Sequence, residues 1–142
     1  MVEEVLVRDT LSSQEIASGE ELLRRVEQAG IKIVAAYWVR DRTADIGLWT
    51  LDVVTPEVDK EGPLKLYEKI HELCSNPSRI PCGLDINIIN VLGLHYSFFK
   101  MLKSAIRSEE ALSDVRLSQL VVGDGLVDLY IYKFPARNNH HR

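Results

Sequence analysis

The sequence predicts an α/β protein of mixed α+β type, with a single mixed five-stranded sheet, two β-hairpins and about three packed helices. Two pairs of segments rich in β-branched and aromatic residues are each joined by a short polar or glycine-containing loop, which is typical of hairpins. Three other segments carry apolar residues at helical spacing. The order is α-β-β-α-β-α-β-β. The chain of 142 residues, 46% hydrophobic and 27% charged, fits one globular domain.

The first helix is predicted from a capping box, in which Ser18 caps the free backbone N–H groups and Glu21 reaches back. Gly30 supplies the left-handed residue that ends the helix. An earlier pair, Ser12 and Glu15, indicates a short turn before it. The apolar positions at helical spacing are Leu22, Leu23, Val26 and Ala29.

Two strands follow, over Ile31–Arg40 and Ile46–Thr55, with a polar loop at 41–45. If Trp38 lies opposite Trp49, one face of the hairpin is wholly apolar and the other is mixed. The apolar face holds Val34, Ala36, Trp38, Trp49, Leu51 and Val53. The mixed face holds Ile33, Ala35, Tyr37, Val39, Leu48, Thr50, Asp52 and Val54.

A charged loop at 57–62 leads to a second helix that begins at Pro63, a residue suited to the first helical turn. The third strand is predicted over Leu84–Leu92, where apolar and polar residues alternate. The third helix covers Leu94–Arg107 and is amphipathic, with Met101 and His95 on its apolar side.

The last unit is a hairpin of Val115–Val122 and Leu126–Phe134 around a glycine-rich turn at 123–125. A three-residue loop places one set of apolar residues on a common face; a two-residue loop gives another register, and both stay open. The common face in the first case holds Val115, Leu117, Val121, Val127, Leu129 and Ile131.

Residues 1–134 are predicted to form the domain and residues 135–142 a disordered polar tail. Residues 1–8 lack the basic start and apolar centre of a signal peptide, and no apolar run approaches the roughly 20 residues that span a bilayer. Two cysteines are too few for a disulfide scaffold. We therefore expect a cytoplasmic protein without a membrane partner.

The stretch from Ala35 to Tyr67 resembles an uncharacterised family of small bacterial proteins. The resemblance rests on the two tryptophan-containing strands and the short motifs after them. These residues are Trp38, Trp49, Thr55-Pro56, Val58-Asp59, Gly62-Pro63 and Tyr67. The resemblance covers about a quarter of the chain and implies no activity and no functional residue.

The best metal candidate is the set His71, Cys74 and Cys82, since three-residue spacing on a helix brings the first two together. The paired C-x-x-C spacing of zinc sites is absent, and Cys74 also fits the apolar stripe of its helix. The sequence contains neither a P-loop nor a G-x-G-x-x-G motif. We therefore expect no bound metal and no cofactor.

Scattered acidic residues and histidines leave open a small hydrolase or a metal-dependent nuclease, which would need carboxylates to converge. The candidate acids are Asp41, Asp45, Asp52, Asp59, Asp85, Asp124 and Asp128. Most of them occupy positions where turns and strand ends favour aspartate. Catalytic residues therefore cannot be assigned from the sequence.

Basic residues on the third helix, Lys100, Lys103 and Arg107, share one face, with Tyr96 near its start. Such a stripe is a candidate anion-binding site, although it also suits the solvated side of an amphipathic helix. Together with the basic tail it gives a weaker alternative, a nucleic-acid accessory protein. The net charge of −4 argues against nucleic acid as the main partner.

The mixed hairpin face gives the leading hypothesis, since a partly apolar face needs a cover from a helix, a ligand or a second chain. Tyr37, Val39, Leu48, Thr50 and Asp52 are the interface candidates. We therefore expect a protein-interaction or assembly domain that associates with itself as a homodimer, or with another protein, and has no catalytic activity.

Overall fold

The computed structural model describes residues 11–43, 47–75 and 84–137, apart from the side chains of residues 74 and 75. In these residues the chain forms four helices, one five-stranded sheet and a single 3₁₀ turn. The helices are α1 (Ser13–Gln28), α2 (Pro56–Glu61), α3 (Pro63–Ser75) and α4 (Ser97–Ala105). The strands are β1 (Ala35–Asp41), β2 (Trp49–Val54), β3 (Ile89–Leu92), β4 (Val115–Val122) and β5 (Gly125–Lys133).

The five strands form one mixed sheet in the order β3-β2-β1-β5-β4. β2 and β3 are parallel, and the other three neighbouring pairs are antiparallel. The predicted fold class is therefore confirmed. Both predicted hairpins are present, and the parallel pair is joined through α2, α3 and the segment that follows them, as a crossover connection requires.

The first helix begins six residues earlier than predicted. Ser12, not Ser18, is the N-cap: its Oγ accepts from the backbone N–H of Glu15 at 3.0 Å, while its own N–H donates to the Glu15 carboxylate at 3.0 Å. The sequence contains two capping boxes, and the helix uses the upstream one. The end is as predicted, since Gly30 adopts a φ of +91° just after the helix.

α2 is a helix where the sequence predicted only a charged loop. The Thr55 hydroxyl caps it by accepting from the backbone N–H of Glu57 at 3.2 Å, and Pro56 occupies its first position. Gly62, with a φ of +85°, ends it and allows α3 to begin at Pro63 as predicted.

The first hairpin pairs Trp38 with Leu51 and Arg40 with Trp49, so the register differs by two residues from the predicted one. A shift of two keeps each side chain on its face, so the two faces persist within the strands. Ile33 and Val34 lie on the faces opposite to those predicted for them. Ile33 packs with Trp38, and Val34 packs on the other side of the sheet. Both precede β1, so strand alternation does not apply to them.

The third strand is shorter than predicted. Residues 86–88 form a 3₁₀ turn capped by Asp85, whose carboxylate accepts from the N–H of Asn87 at 2.9 Å. Only Ile89–Leu92 joins the sheet, as an edge strand beside β2. The outer edge is capped at Val91, whose N–H donates to the Tyr67 hydroxyl at 3.0 Å.

The second hairpin has the two-residue turn, Gly123-Asp124, because Val122 pairs with Gly125. A bulge between Leu117 and Leu120 then changes which residues face the core. Val121, predicted to be internal, is 65% exposed, whereas Leu120 and Val122 pack inward. Neither predicted register contained this bulge.

The sheet has a buried apolar layer on each face. α1 and α3 cover the layer that contains Trp38, and α4 covers the layer that contains Tyr37. At the first layer α1 approaches the sheet closely at Gly19, where a Cβ would lie 2.3 Å from the Tyr132 hydroxyl. That hydroxyl accepts from the Trp38 indole at 2.8 Å and donates to the carbonyl of Ile16 at 2.6 Å.

No helix within the described part of the chain is both long and apolar enough to span a bilayer.

Candidate functional site

A basic recess lies where α4 meets the chain segment that follows β5. Its volume is about 500 Å³. The side chains around it include Lys100, Lys103, Arg107, Arg137, Ile106 and Phe134, and none of the described residues that line it is acidic. We call this feature the basic recess; three of its four cations are residues that the sequence singled out as anion-binding candidates.

Lys100 and Lys103 share one face of α4 because their three-residue spacing matches the helical repeat. The helix was predicted to run over 94–107 but covers Ser97–Ala105, so Arg107 lies just after its end. The neighbouring face buries Phe99 and Leu102 against the sheet. Tyr96, the fourth predicted candidate, does not line the recess. It occupies the N-cap of α4, makes no side-chain capping bond and is 46% exposed.

Arg137 completes the recess, although the sequence analysis assigned it to a disordered tail. The chain is fixed by mutual backbone bonds between Phe134 and Leu112, at 3.0 and 2.9 Å. Three residues later the N–H of Arg137 donates to the carbonyl of Ser108 at 2.8 Å. Residues 135–137 therefore pack beside the end of α4; residues 138–142 lie outside the described part.

The cations of the recess are not neutralised by carboxylates of the residues that the structure describes. None of the four forms an ion pair in the residues that the structure describes. The Lys103 ammonium lies 5.5 Å from the centre of the Phe99 ring. The Nε of Arg107 donates to the carbonyl of Ser104 at 3.1 Å. The recess thus concentrates four positive charges over an apolar floor in an otherwise acidic protein.

The mixed hairpin face is covered within the chain, which corrects its predicted role as an open contact surface. Tyr37 is fully buried, Val39 is 9% exposed and Asp52 is 4% exposed. α4 provides the cover, with Phe99 in the same apolar layer. Of the other two interface candidates, Thr50 is half-buried, and Leu48, just before β2, is 69% exposed.

A polar row crosses the covered face, since Asp52 is the register partner of both Tyr37 on β1 and Asn90 on β3. The Asn90 amide donates to Asp52 Oδ1 at 3.0 Å. Burial raises the pKa of Asp52 to about 6, and the bond from Asn90 partly offsets this effect. Burial, followed by the nearby Asp52 carboxylate, raises the pKa of Tyr37. Asn90 is a partner that the sequence analysis missed.

The other acidic candidates do not converge where the structure describes them. Asp59 accepts from the N–H of Leu94 at 2.9 Å, Asp85 caps the 3₁₀ turn, and Asp128 pairs with Arg40 and Arg42. Asp41 and Asp124 are exposed, and Asp45 lies outside the described residues. His95, predicted on the apolar side of its helix, is exposed because it precedes α4.

Of the three metal candidates, only the side chain of His71 lies in the part of the chain that the structure describes. His71 is exposed on α3, while the side chain of Cys74 and the whole of Cys82 lie outside the described part. Within 11–43, 47–75 and 84–137, no three His, Cys, Asp or Glu side chains form a group that is able to hold a metal ion.

The chain was compared with protein-family models, curated proteins and solved structures, and none of the three comparisons gave a match. The resemblance over residues 35–67 therefore stays a prediction from the residues that carry it, and the function has to be argued from the site alone.

Proposed function

We propose that this protein is a non-catalytic interaction domain that binds an acidic segment of a partner protein in the basic recess. The single observation that carries the proposal is the set of four cations at the recess, none of which forms an ion pair within the described part of the chain. We also propose a cytoplasmic setting, on the sequence features given above.

The chemistry of the lining favours a peptide over a nucleic acid. Ile106 and Phe134 contribute an apolar floor, which suits an aliphatic side chain flanked by carboxylates. The cations are confined to one recess, and the chain as a whole carries −4, so a long phosphate backbone would meet repulsion beyond it. A short acidic segment meets only the positive part of the surface.

The test is fluorescence anisotropy with a labelled peptide of alternating glutamate and leucine residues. We expect saturable binding that weakens as salt is added, because exposed charges are screened. The double variant Lys103→Glu/Arg107→Glu should weaken binding at least about tenfold, which corresponds to about 1.4 kcal/mol. Both side chains are exposed, so the fold should persist.

A matched control reverses two lysines of α3, Lys65→Glu/Lys69→Glu. These lysines line a different recess, which they share with four glutamates: Glu57, Glu61, Glu68 and Glu72. The control changes the net charge equally but should leave peptide binding nearly intact. Equal loss in both double variants would show that only the overall charge matters. A single-stranded oligonucleotide that binds more tightly than the peptide would replace this proposal by the nucleic-acid alternative.

A further inference from the structure

An exposed leucine projects from α3, on the side of the sheet away from α4. Leu64 is 69% exposed. Glu68 and Glu72 follow it at intervals of four residues along the helix, so they lie beside Leu64 on the outer surface of α3. Both glutamates are exposed. We call Leu64, Glu68 and Glu72 the acidic ridge.

The carboxylates at the ridge outnumber the cations near them. Glu72 Oε1 lies 3.9 Å from Lys69 Nζ, whereas Glu68 forms no ion pair among the described residues. The described lining of the recess beside the ridge contains four glutamates and two lysines: Glu57, Glu61, Glu68, Glu72, Lys65 and Lys69. This side of the molecule therefore carries an excess of negative charge around an exposed aliphatic side chain.

The acidic ridge is the chemical complement of the basic recess. The recess presents four cations around the apolar side chains of Ile106 and Phe134, and the ridge presents a leucine flanked by carboxylates. A recess of about 500 Å³ has room for one aliphatic side chain. A contact between the two would bury Leu64 and place the carboxylates of the ridge against the cations, which is the usual arrangement of an apolar centre within a polar rim.

The two surfaces cannot meet within one chain, because the sheet lies between them. Ile70 anchors α3 in the buried layer that contains Trp38. Phe99 anchors α4 in the layer on the other face, which contains Tyr37. A contact between ridge and recess therefore requires a second copy of the chain. Such a contact is heterologous, since different patches of the two copies meet.

We propose that the acidic segment bound by the basic recess is the acidic ridge of a second copy of this chain. The inference rests on the proposed function, since it uses the same recess, and it names the partner. The contact is head to tail: each copy offers its recess to one neighbour and its ridge to another. Repetition of this contact gives chains or rings of copies, not a pair closed by a two-fold axis.

Sedimentation of the wild-type protein over a range of micromolar concentrations tests the self-association. The average mass should rise with concentration beyond that of two chains, and it should fall as salt is added, because exposed charges are screened. The ridge variant Leu64→Gln/Glu68→Gln should weaken self-association at least about tenfold, which corresponds to about 1.4 kcal/mol. Both side chains are exposed and glutamine is a good helix former, so the fold should persist.

A matched control, Leu48→Gln/Glu20→Gln, changes one leucine and one glutamate that are also exposed. Leu48 has the same 69% exposure as Leu64, and the net charge changes equally. The control should associate like the wild type. Equal association of the ridge variant and the control, or a wild-type mass that stops at two chains, would overturn the proposal.

A mixture of two variants distinguishes a head-to-tail contact from a contact between like surfaces. Lys103→Glu/Arg107→Glu, the recess variant, keeps an intact ridge, and the ridge variant keeps an intact recess. Neither should associate alone, whereas an equal mixture should form a complex with one copy of each. If the mixture contains only single chains, the head-to-tail contact is contradicted.

The labelled peptide of glutamate and leucine separates this inference from the proposed function. The ridge variant leaves its recess unoccupied by other copies, so it should bind the peptide at least as tightly as the wild type. If it binds the peptide but the wild type does not self-associate, the partner named here is wrong and the proposed function stands. If it does not bind the peptide although near-ultraviolet circular dichroism shows a native fold, the proposed function fails, and this inference fails with it.

Discussion

At the scale of single residues, the most unusual group is the carboxyl of Asp52. It is 4% exposed and accepts a hydrogen bond from Asn90, and both Asn90 and the neighbouring Tyr37 hydroxyl act to lower its pKa, but burial outweighs them. A buried carboxyl with little compensation favours its neutral form, which explains the raised pKa of about 6.

This pKa predicts a dependence of stability on pH. Below about pH 4, Asp52 is protonated in both the folded and the unfolded chain, so it imposes no penalty. Between about pH 4 and 6 the unfolded chain ionises first and stability falls; above about pH 6 the loss is constant. For a pKa raised by about two units, the loss in the free energy of unfolding is about 3 kcal/mol.

Asp52→Asn removes this titration while keeping the shape of the side chain. We expect the variant to be more stable than the wild type at pH 7.5 by up to about 3 kcal/mol, with the difference vanishing near pH 4. Urea unfolding at a series of pH values measures it. Asp124→Asn, in the exposed turn of the second hairpin, is the control and should show no such trend. If the difference in stability between Asp52→Asn and the wild type were the same at all pH values, the raised pKa of Asp52 would be contradicted.

At the scale of elements, α1 shows how a local signal becomes ambiguous. Ser12 with Glu15 and Ser18 with Glu21 have the same spacing, and both are compatible with the apolar stripe that follows. The upstream pair lengthens the helix by six residues. Leu11, just before the cap, is 2% exposed and packs in the same apolar layer as Leu22.

The two serines provide a matched test of where the helix begins. Ser12→Ala should lower the free energy of unfolding by about 1 kcal/mol, because it removes the side-chain bond to the N–H of Glu15. Ser18→Ala, in the helix interior, should change it by no more than about 0.5 kcal/mol. Urea unfolding curves of the two variants give both values. A larger cost at Ser18 would place the cap at the downstream pair.

At the scale of the whole molecule, the decisive feature is that α4 covers the mixed hairpin face. A charged residue at Tyr37 should therefore prevent folding, because it would bury an ion without a partner. Leu48→Glu, at a position 69% exposed, should leave the free energy of unfolding within about 0.5 kcal/mol. Near-ultraviolet circular dichroism distinguishes the two outcomes; a natively folded Tyr37→Glu protein would show that α4 does not cover this face.

The homodimer is still a prediction, and sedimentation of the wild-type protein at micromolar concentration tests it. A dimer that Leu48→Glu converts to a folded monomer would locate the contact at the exposed end of the hairpin. A monomer at all concentrations would remove self-association and leave the basic recess as the proposed surface for a partner.

The sequence by itself determined the features that depend on neighbours along the chain. Strand and helix periodicity predicted the fold class, the two faces of the first hairpin and the shared face of Lys100 and Lys103. Such features depend on residues two or three positions apart, so the pattern along the sequence is enough to predict them. The sequence contains two capping boxes for the first helix but does not indicate which one the helix uses, because that depends on packing.

Only the tertiary structure decided which distant groups meet. Asn90 reaches Asp52 across 38 residues of sequence, Arg40 reaches Asp128 across 88, and a backbone bond to Ser108 holds Arg137 beside the end of α4. The bulge in β4, which turns Val121 outward, is bonded through Gln119 to Asp128 on the partner strand. Strand order and helix placement fix these contacts, and neither follows from spacing along the chain, because many pairings bury the same apolar faces.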